Sequence, residues 1–197
     1  MFKTTTQNKI ELTEENFSSL LPKYLQKSSK TYFTPIHIAK IATQWLTEDG
    51  KKHVLDIGAG VGKFCIVGAS NSDSSFYGVE YRPNIAKLAN ELICHFDIKN
   101  AIVHNKDVAE VDFTNFNAFY LYNPFAENLF PFKKLNNEVE LSNFLYYFYF
   151  QQTKHQLDKT KTGTRLVTYH GDNFEVPDSF QKVTQTGDGL LKLWIKL

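Results

Sequence analysis

The sequence predicts an α/β fold in which a mostly parallel β-sheet is covered by helices on both faces. From residue 51 onward, short apolar runs alternate with stretches of helical periodicity, and strands joined by crossover helices pair in parallel. Later in the chain, two alternating segments flank Asp188-Gly189, a pair typical of a tight hairpin turn, which predicts an antiparallel end to the sheet. The 197 residues fit one domain.

Residues 1–50 are predicted to form a helical segment of that same domain. A helix over Glu14–Leu25 follows from its apolar positions, and Pro22 is expected to break it. Lys27–Lys30 is predicted to be a loop. A further helix is predicted from Thr34, an N-cap residue type that stands before a proline, to Gly50.

Residues 51–197 are predicted to form the core. Its strands are short and apolar, whereas its helices carry apolar residues at three- and four-residue spacing. The predicted strands are 53–57, 75–80, 101–104, 118–122, 164–169, 180–186 and 190–197. The predicted helices are 61–69, one that begins at residue 83, and 138–157.

The composition excludes several classes of protein. Apolar residues make up 42% of the chain, too many for a disordered protein. A net charge of +1 argues against a protein that holds nucleic acid chiefly by counterion release. Cys65 and Cys94 form no C-x-x-C pair and the histidines show no metal-binding spacing, so no metal is expected. The longest uncharged apolar run, Phe144–Phe150, is too short to span a membrane, and Met1–Gln7 has no secretory h-region, so a cytoplasmic protein is expected.

The stretch Asp56–Gly62, D-I-G-A-G-V-G, is the most informative motif. A strand that feeds a glycine turn at the start of a helix lets backbone amides approach a ligand closely. The dinucleotide pattern G-x-G-x-x-G fails because its third glycine position falls on Lys63. The phosphate-binding pattern G-x-x-x-x-G-K-[ST] fails because Ile57 and Phe64 occupy its first and last positions.

Three further groups of residues follow the predicted strands at the same edge of the sheet. Glu80 ends the second strand, where a carboxylate can accept both hydroxyls of a ribose, and Tyr81 follows it. Asp107-Val108 comes after the third strand; an aspartate there either binds a ligand or caps the loop. Asn123-Pro124-Phe125 ends the fourth strand. Ligands of parallel sheets bind outside these strand ends.

Together these features resemble the S-adenosylmethionine site of class I methyltransferases, which have a Rossmann-like, seven-stranded sheet closed by an antiparallel strand. The resemblance implies S-adenosylmethionine as cofactor and a glycine turn beside its methionine moiety. It further implies that Glu80 binds the ribose and Asp107 the adenine. The implied cofactor-binding residues in the core are Asp56, Gly58, Ala59, Gly60, Gly62, Glu80, Tyr81, Asp107, Val108 and Asn123.

Ahead of the core, Tyr32-Phe33-Thr34-Pro35 resembles the F-x-T-P or Y-x-T-P segment of several amino-methyltransferases, which contacts the methionine end of the cofactor. This resemblance adds Tyr32, Phe33 and Thr34 to the expected cofactor-binding residues, as part of a lid. The alternative is a plain N-cap with a hydrophobic staple.

Asn123, Pro124 and Phe125 are the expected catalytic residues. They resemble the [DNS]-P-P-[YFW] motif of amino-methyltransferases, except that Phe125 replaces the second proline and Ala126 the aromatic residue. N-P-F is closer to the pattern of some lysine methyltransferases. An amine acceptor, a protein lysine or a small amine, is therefore favoured over nucleic acid. The alternatives are an RNA or DNA amino-methyltransferase and a partner subunit that binds the cofactor without catalysis; an NAD-linked reductase is a more distant one.

Two features receive no functional assignment from the sequence. The aromatic run Phe144–Phe150 is apolar nearly all round a helix, so structural packing is the first interpretation, beside a homodimer interface, a lid or a peptide groove. His170 follows the fifth predicted strand; it is interpreted as a loop histidine, and a position facing the cleft is the alternative.

Overall fold

The computed structural model describes residues 12–130, 134–171 and 176–197, with the backbone alone at 28–30. Met1–Gln7, on which the expectation about secretion rests, lies outside these residues. Within the described part of the chain, no helix combines the length and apolarity that crossing a membrane requires.

One seven-stranded sheet organises the chain, with the strand order β3-β2-β1-β4-β5-β7-β6. The strands are β1 (His53–Ile57), β2 (Ser75–Glu80), β3 (Ala101–Asn105), β4 (Ala118–Tyr122), β5 (Arg165–Tyr169), β6 (Phe180–Gln185) and β7 (Leu191–Lys196). The first five strands pair in parallel, and β7 lies antiparallel between β5 and β6. The predicted α/β fold with its antiparallel hairpin is confirmed.

Six α-helices and three one-turn 3₁₀ helices are described. The α-helices are α1 (Glu14–Ser19), α2 (Lys23–Tyr32), α3 (Ile36–Thr47), α4 (Lys63–Asn71), α5 (Pro83–His95) and α6 (Asn143–Asp158). The 3₁₀ helices are Val108–Glu110, Phe113–Asn115 and Ala126–Asn128.

Alternation along the strands divides the core between the two faces of the sheet. In β1, Val54 packs in a cluster with α3 and α4, whereas Leu55 and Ile57 pack in the cluster that contains Leu157 of α6. A third cluster joins α1, α2 and α5 to the α4 side of the sheet. Helices therefore cover both faces, as predicted, with α6 and two of the 3₁₀ helices on the face opposite α3 and α4.

The structure corrects two predicted boundaries. Lys27–Lys30 is not a loop but part of α2, because the buried Leu25 anchors the helix while Lys23, Gln26 and Lys27 are exposed. The last helix begins at Asn143 rather than at residue 138, because the Ser142 hydroxyl accepts the Leu145 N–H and caps it there. The predicted break at Pro22 is confirmed by the end of α1 at Ser19.

Candidate cofactor and acceptor site

A cleft opens at the edge of the sheet where β1, β2, β4 and β5 end. Its larger cavity, of about 290 Å³, lies toward α2, and a smaller one of about 80 Å³ lies toward α6. The two cavities adjoin, since five residues line both: Gly58, Glu80, Arg82, Pro124 and Glu127.

The glycine turn after β1 forms the floor of this cleft. Gly58, Gly60 and Gly62 have φ of 74°, 53° and 72°, the left-handed region that favours glycine. A Cβ on Gly58 would lie 2.7 Å from Pro124 Cβ, so the turn touches the segment after β4 directly. Gly58 and Gly60 line the larger cavity. Two other predicted residues of the turn are not among the described residues that line either cavity: Gly62 packs against α5, and Ala59 is buried.

Glu80, the last residue of β2, is buried and lines both cavities. Its Oε2 accepts the Gly60 N–H (3.1 Å) and its Oε1 accepts the Arg82 N–H (2.9 Å). A carboxylate offers about four acceptor directions, so about two remain, enough for the two hydroxyls of a ribose. Burial raises the pKa of Glu80, and the amide and guanidinium of Arg82 oppose that rise.

Arg82 is a site residue that the sequence analysis did not assign. Its Nη1 lies 3.6 Å from Glu80 Oε1, and its Nη2 pairs with Glu127 Oε2. Its Nε donates to Asn136 Oδ1 (3.2 Å). Burial raises the pKa of Glu127 as well, and Arg82 again opposes the rise. Only its position, two residues past the carboxylate that ends β2, could have indicated this role.

The smaller cavity has an aromatic and acidic lining that suits adenine. Three of the residues that the resemblance assigns to the cofactor line it: Tyr81, Asp107 and Val108. Asp107 also caps the following 3₁₀ helix through the Ala109 N–H (2.9 Å), and it accepts the Tyr149 hydroxyl (2.8 Å). Burial and the Asp107 carboxylate raise the pKa of Tyr149. Tyr149 belongs to the aromatic run, whose sequence did not indicate a place in this cavity.

The segment after β4 divides between the two cavities. Asn123 has φ of 40° and lines the larger cavity with Pro124. Phe125 turns toward the smaller cavity and stacks on Tyr149, with ring centroids 5.5 Å apart. Asn123 therefore borders the larger cavity, Pro124 borders both cavities, and Phe125 packs beside the smaller one.

Aromatic rings line the larger cavity around Asn123. Tyr122 fixes one side, because its hydroxyl donates to the Thr31 carbonyl (2.8 Å) and its ring lies 5.7 Å from that of His170. Tyr32 and Phe130 line the same cavity. His170, interpreted from the sequence as a loop histidine, thus lies in the cleft wall; its place directly after β5 was the signal for this.

The predicted lid residues take different positions. Tyr32 and Phe33 line the larger cavity, and Phe33 Cε1 lies 3.4 Å from where a Cβ on Gly60 would be. Thr34 is instead buried, and its hydroxyl is hydrogen-bonded to that of Tyr120 (2.8 Å). Thr34 is not the N-cap of α3 either, since Pro35 occupies that position.

Glu14 of α1 holds this segment against the glycine turn. Its Oε1 accepts the Ile36 N–H (2.6 Å), and its Oε2 pairs with Lys63 Nζ (2.6 Å). Burial acts to raise the pKa of Glu14, but the Ile36 amide and the Lys63 ammonium hold it below its ordinary value. One carboxylate therefore ties α1 both to the start of α3 and to the start of α4.

Asp56 lies behind the turn rather than on its surface. It is 4% exposed, and the Cys65 thiol donates to its Oδ2 (3.6 Å). Burial, reinforced by the charge of Glu80, raises the pKa of Asp56 to about 7. Within the described residues, no group of three or more histidine, cysteine or acidic side chains could hold a metal ion.

The residues present fit S-adenosylmethionine. The free acceptor directions of Glu80 suit a ribose, the smaller cavity suits a flat base, and the side-chain-free turn at Gly58 and Gly60 leaves room for the methionine moiety. The carboxylates of Glu80 and Glu127 suit a ligand that carries a sulfonium charge.

Solved structures with the same fold include methyltransferases. An RNA methyltransferase from Salinibacter ruber in complex with S-adenosyl-L-homocysteine is 18% identical, with a TM-score of 0.53 over 83% of this chain and 91% of that one. TrmN from Thermus thermophilus is 16% identical, with a TM-score of 0.59 over 89% and 52%. The N-methyltransferase NodS from Bradyrhizobium japonicum WM9 is 11% identical, with a TM-score of 0.56 over 81% and 94%.

No curated protein matches the sequence. The family described as N-6 DNA methylase matches residues 9–165, which include the glycine turn, Glu80, Asp107 and the N-P-F segment. Its match extends over most of the 197 residues. The chain therefore belongs to the N-6 DNA methylase family and is a class I methyltransferase that uses S-adenosylmethionine.

Proposed function

We propose that the enzyme methylates an amino nitrogen attached to a flat ring, such as the exocyclic amino group of a nucleobase. The observation that carries this proposal is the set of rings around Asn123, formed by Tyr32, Tyr122, Phe130 and His170. A flat acceptor can stack on such walls while its amino group points toward Asn123. The N-6 DNA methylase family supports the same class of acceptor over the lysine that N-P-F alone favours.

The protein's part in this reaction is to orient a neutral nitrogen. The cofactor supplies a methyl group on a sulfonium, which is already a strong electrophile. The Asn123 amide oxygen accepts one N–H of the acceptor, which aims the nitrogen lone pair at the methyl carbon. The new C–N bond forms as the C–S bond breaks, the sulfur keeps the electron pair, and the nitrogen then releases one proton through the open cleft.

For the cofactor itself, we assign three groups of residues. Glu80 accepts the ribose hydroxyls in the two directions that Gly60 and Arg82 leave open. Tyr81, Asp107 and Val108 surround the adenine, and Gly58, Gly60 and Phe33 border the methionine moiety.

The test is methyl transfer from radiolabelled S-adenosylmethionine to a defined panel: single- and double-stranded DNA, RNA oligonucleotides, free nucleosides and lysine peptides. Label is expected on the amino nitrogen of a base. Asn123→Ala is expected to lower kcat at least tenfold while the Kd for S-adenosylhomocysteine changes less than threefold. Asn115→Ala, an exposed asparagine outside the cleft, is the matched control.

Each of the other outcomes has a defined meaning. Label on lysine peptides alone would overturn the flat-ring acceptor. Tight binding of S-adenosylhomocysteine without transfer to any member of the panel would contradict the proposed acceptor class and favour a subunit that acts with a partner. Glu80→Ala is expected to weaken cofactor binding at least tenfold; unchanged binding would reject the ribose assignment.

A further inference from the structure

Arg82 lies where the two cavities meet, and it contacts both. On the ribose side, its backbone N–H donates to Glu80 Oε1 and its Nη1 lies 3.6 Å from that oxygen. On the acceptor side, its Nη2 pairs with Glu127 Oε2 and its Nε donates to Asn136 Oδ1. One guanidinium thus joins the end of β2 to Glu127 and Asn136, which follow Arg82 in the sequence by 45 and 54 positions.

The charges in this group are nearly enclosed. The side chains of Arg82, Glu80 and Glu127 are 11%, 6% and 12% exposed. Two carboxylates therefore share one cation at a site where water screens their charges poorly. A ligand that weakens the interaction of one carboxylate with Arg82 must therefore strengthen the interaction of Arg82 with the other.

Glu127, Phe130 and Leu135 form one wall of the larger cavity, called here the acceptor wall, and Asn136 directly follows Leu135. The Oε1 of Glu127 accepts the Leu135 N–H (3.3 Å). Asn136 continues the network to Glu138, whose Oε2 accepts the Asn84 N–H at the start of α5. Arg82 thus contacts the wall at two points, at Glu127 and at Asn136, which directly follows Leu135.

We propose that Arg82 is a positioning residue that couples cofactor binding to the order of the acceptor wall. The inference depends on the ribose role proposed for Glu80. Ribose hydroxyls that donate to Glu80 satisfy part of its charge, so Arg82 interacts more strongly with Glu127 and Asn136. Phe130 and Leu135 are then held in place for the acceptor when the cofactor is bound.

The experiment uses S-adenosylhomocysteine as the probe, with calorimetry for its Kd and amide hydrogen exchange for the peptides that contain Glu127 and Leu135–Glu138. In the unmodified enzyme, the ligand is expected to slow exchange in these peptides at least fivefold. A 2′,3′-dideoxy analogue of the same ligand, which lacks the ribose hydroxyls, is expected to bind more weakly and to give little of this protection.

Two variants separate positioning from plain structural support. Arg82→Lys keeps the charge but loses the planar fork, so it is expected to weaken S-adenosylhomocysteine binding about tenfold and to abolish the ligand-induced protection. The same substitution is expected to change the Kd of the dideoxy analogue less than threefold. Glu127→Gln is expected to remove the protection of the wall even when S-adenosylhomocysteine is present at a saturating concentration.

Lys87→Ala is the matched control, since Lys87 pairs with Glu91 on the exposed surface of α5. Equal losses for both ligands in Arg82→Lys would mean structural support alone and would overturn the coupling. So would protection that survives in Glu127→Gln. If Glu80→Ala left the Kd unchanged, the ribose assignment itself would fail; if Glu80→Ala weakened binding and Arg82→Lys did not, only the coupling would fail.

Discussion

Gly58 belongs to the glycine turn after β1, and its backbone packs directly against Pro124 in the segment after β4. We predict that Gly58→Ala lowers methyl transfer at least tenfold and the free energy of unfolding by about 1–3 kcal/mol. The reason is twofold: φ is 74°, and the added Cβ would lie 2.7 Å from Pro124 Cβ. Kinetics and urea unfolding measure both effects. Gly187→Ala, where no atom lies within 4 Å, is expected to change stability by less than about 0.5 kcal/mol; equal effects at both sites would contradict the prediction.

Asp56 makes the stability of the protein depend on pH. Its pKa is raised to about 7 in the folded protein, above the ordinary 3.8, so the folded state holds the proton more tightly than the unfolded state. Stability relative to Asp56→Asn should therefore fall as pH rises from about 4 to 7, by at most about 1.4 kcal/mol per pH unit, and then level off. Urea unfolding at several pH values measures it. A difference between the two proteins that does not change with pH would be inconsistent with the buried carboxyl.

At the scale of elements, the ends of β4 and β5 act together. Tyr122 and Tyr169 are paired in register, and each is followed by a residue with a left-handed backbone, Asn123 and His170. Such conformations are costly for residues other than glycine and are common at functional sites. Both turns direct their residues into the same cavity wall.

The short helix α1 forms one ion pair with Lys63 next to the glycine turn, on the side of the cleft that we assign to the methionine moiety. We predict that Glu14→Gln raises the KM for S-adenosylmethionine several-fold with little change in kcat. The reason is that Lys63, 3% exposed, loses its carboxylate partner and the segment with Phe33 moves from Gly60. Steady-state kinetics measure this. Glu15→Gln, exposed on the same turn of helix, is the control; an equal rise in KM there would refute the assignment.

Sequence patterns predicted the elements whose determinants are local. The glycine turn, Glu80 at the end of β2 and the hairpin around Gly189 all follow from residue types at fixed spacing. Arg82 with Asn136, and Asp107 with Tyr149, were not predicted. These pairs are 54 and 42 residues apart, and no periodicity links them; the fold brings them together. Lys27–Lys30 was assigned wrongly because the burial of Leu25 outweighs the polar composition of that stretch.

At the scale of the whole molecule, the described residues before residue 51 pack into the core. Buried residues of α3 share a cluster with β1, β4, β5 and β7, and Arg165 of β5 donates to the Trp45 carbonyl (2.6 Å). We propose from these contacts that residues 1–50 and 51–197 unfold as one domain.

The two tryptophans provide a direct test of this proposal. Trp45 lies in α3 and Trp194 in β7, so Trp194→Phe and Trp45→Phe each leave one fluorescent reporter. We expect the fluorescence transition in urea to coincide, in each variant, with the loss of helical circular dichroism. An earlier transition for the Trp45 reporter would show that the segment before residue 51 unfolds on its own.

The position of β7 also governs when the protein can fold during its synthesis. β7 lies inside the sheet, between β5 and β6, although it follows both along the chain. Until the ribosome has released Lys196, β5 has an open edge and the side of α3 that faces β7 has no cover. The nascent chain therefore cannot complete this sheet before β7 has emerged, and during that interval the exposed edge of β5 is where we expect chaperones to bind.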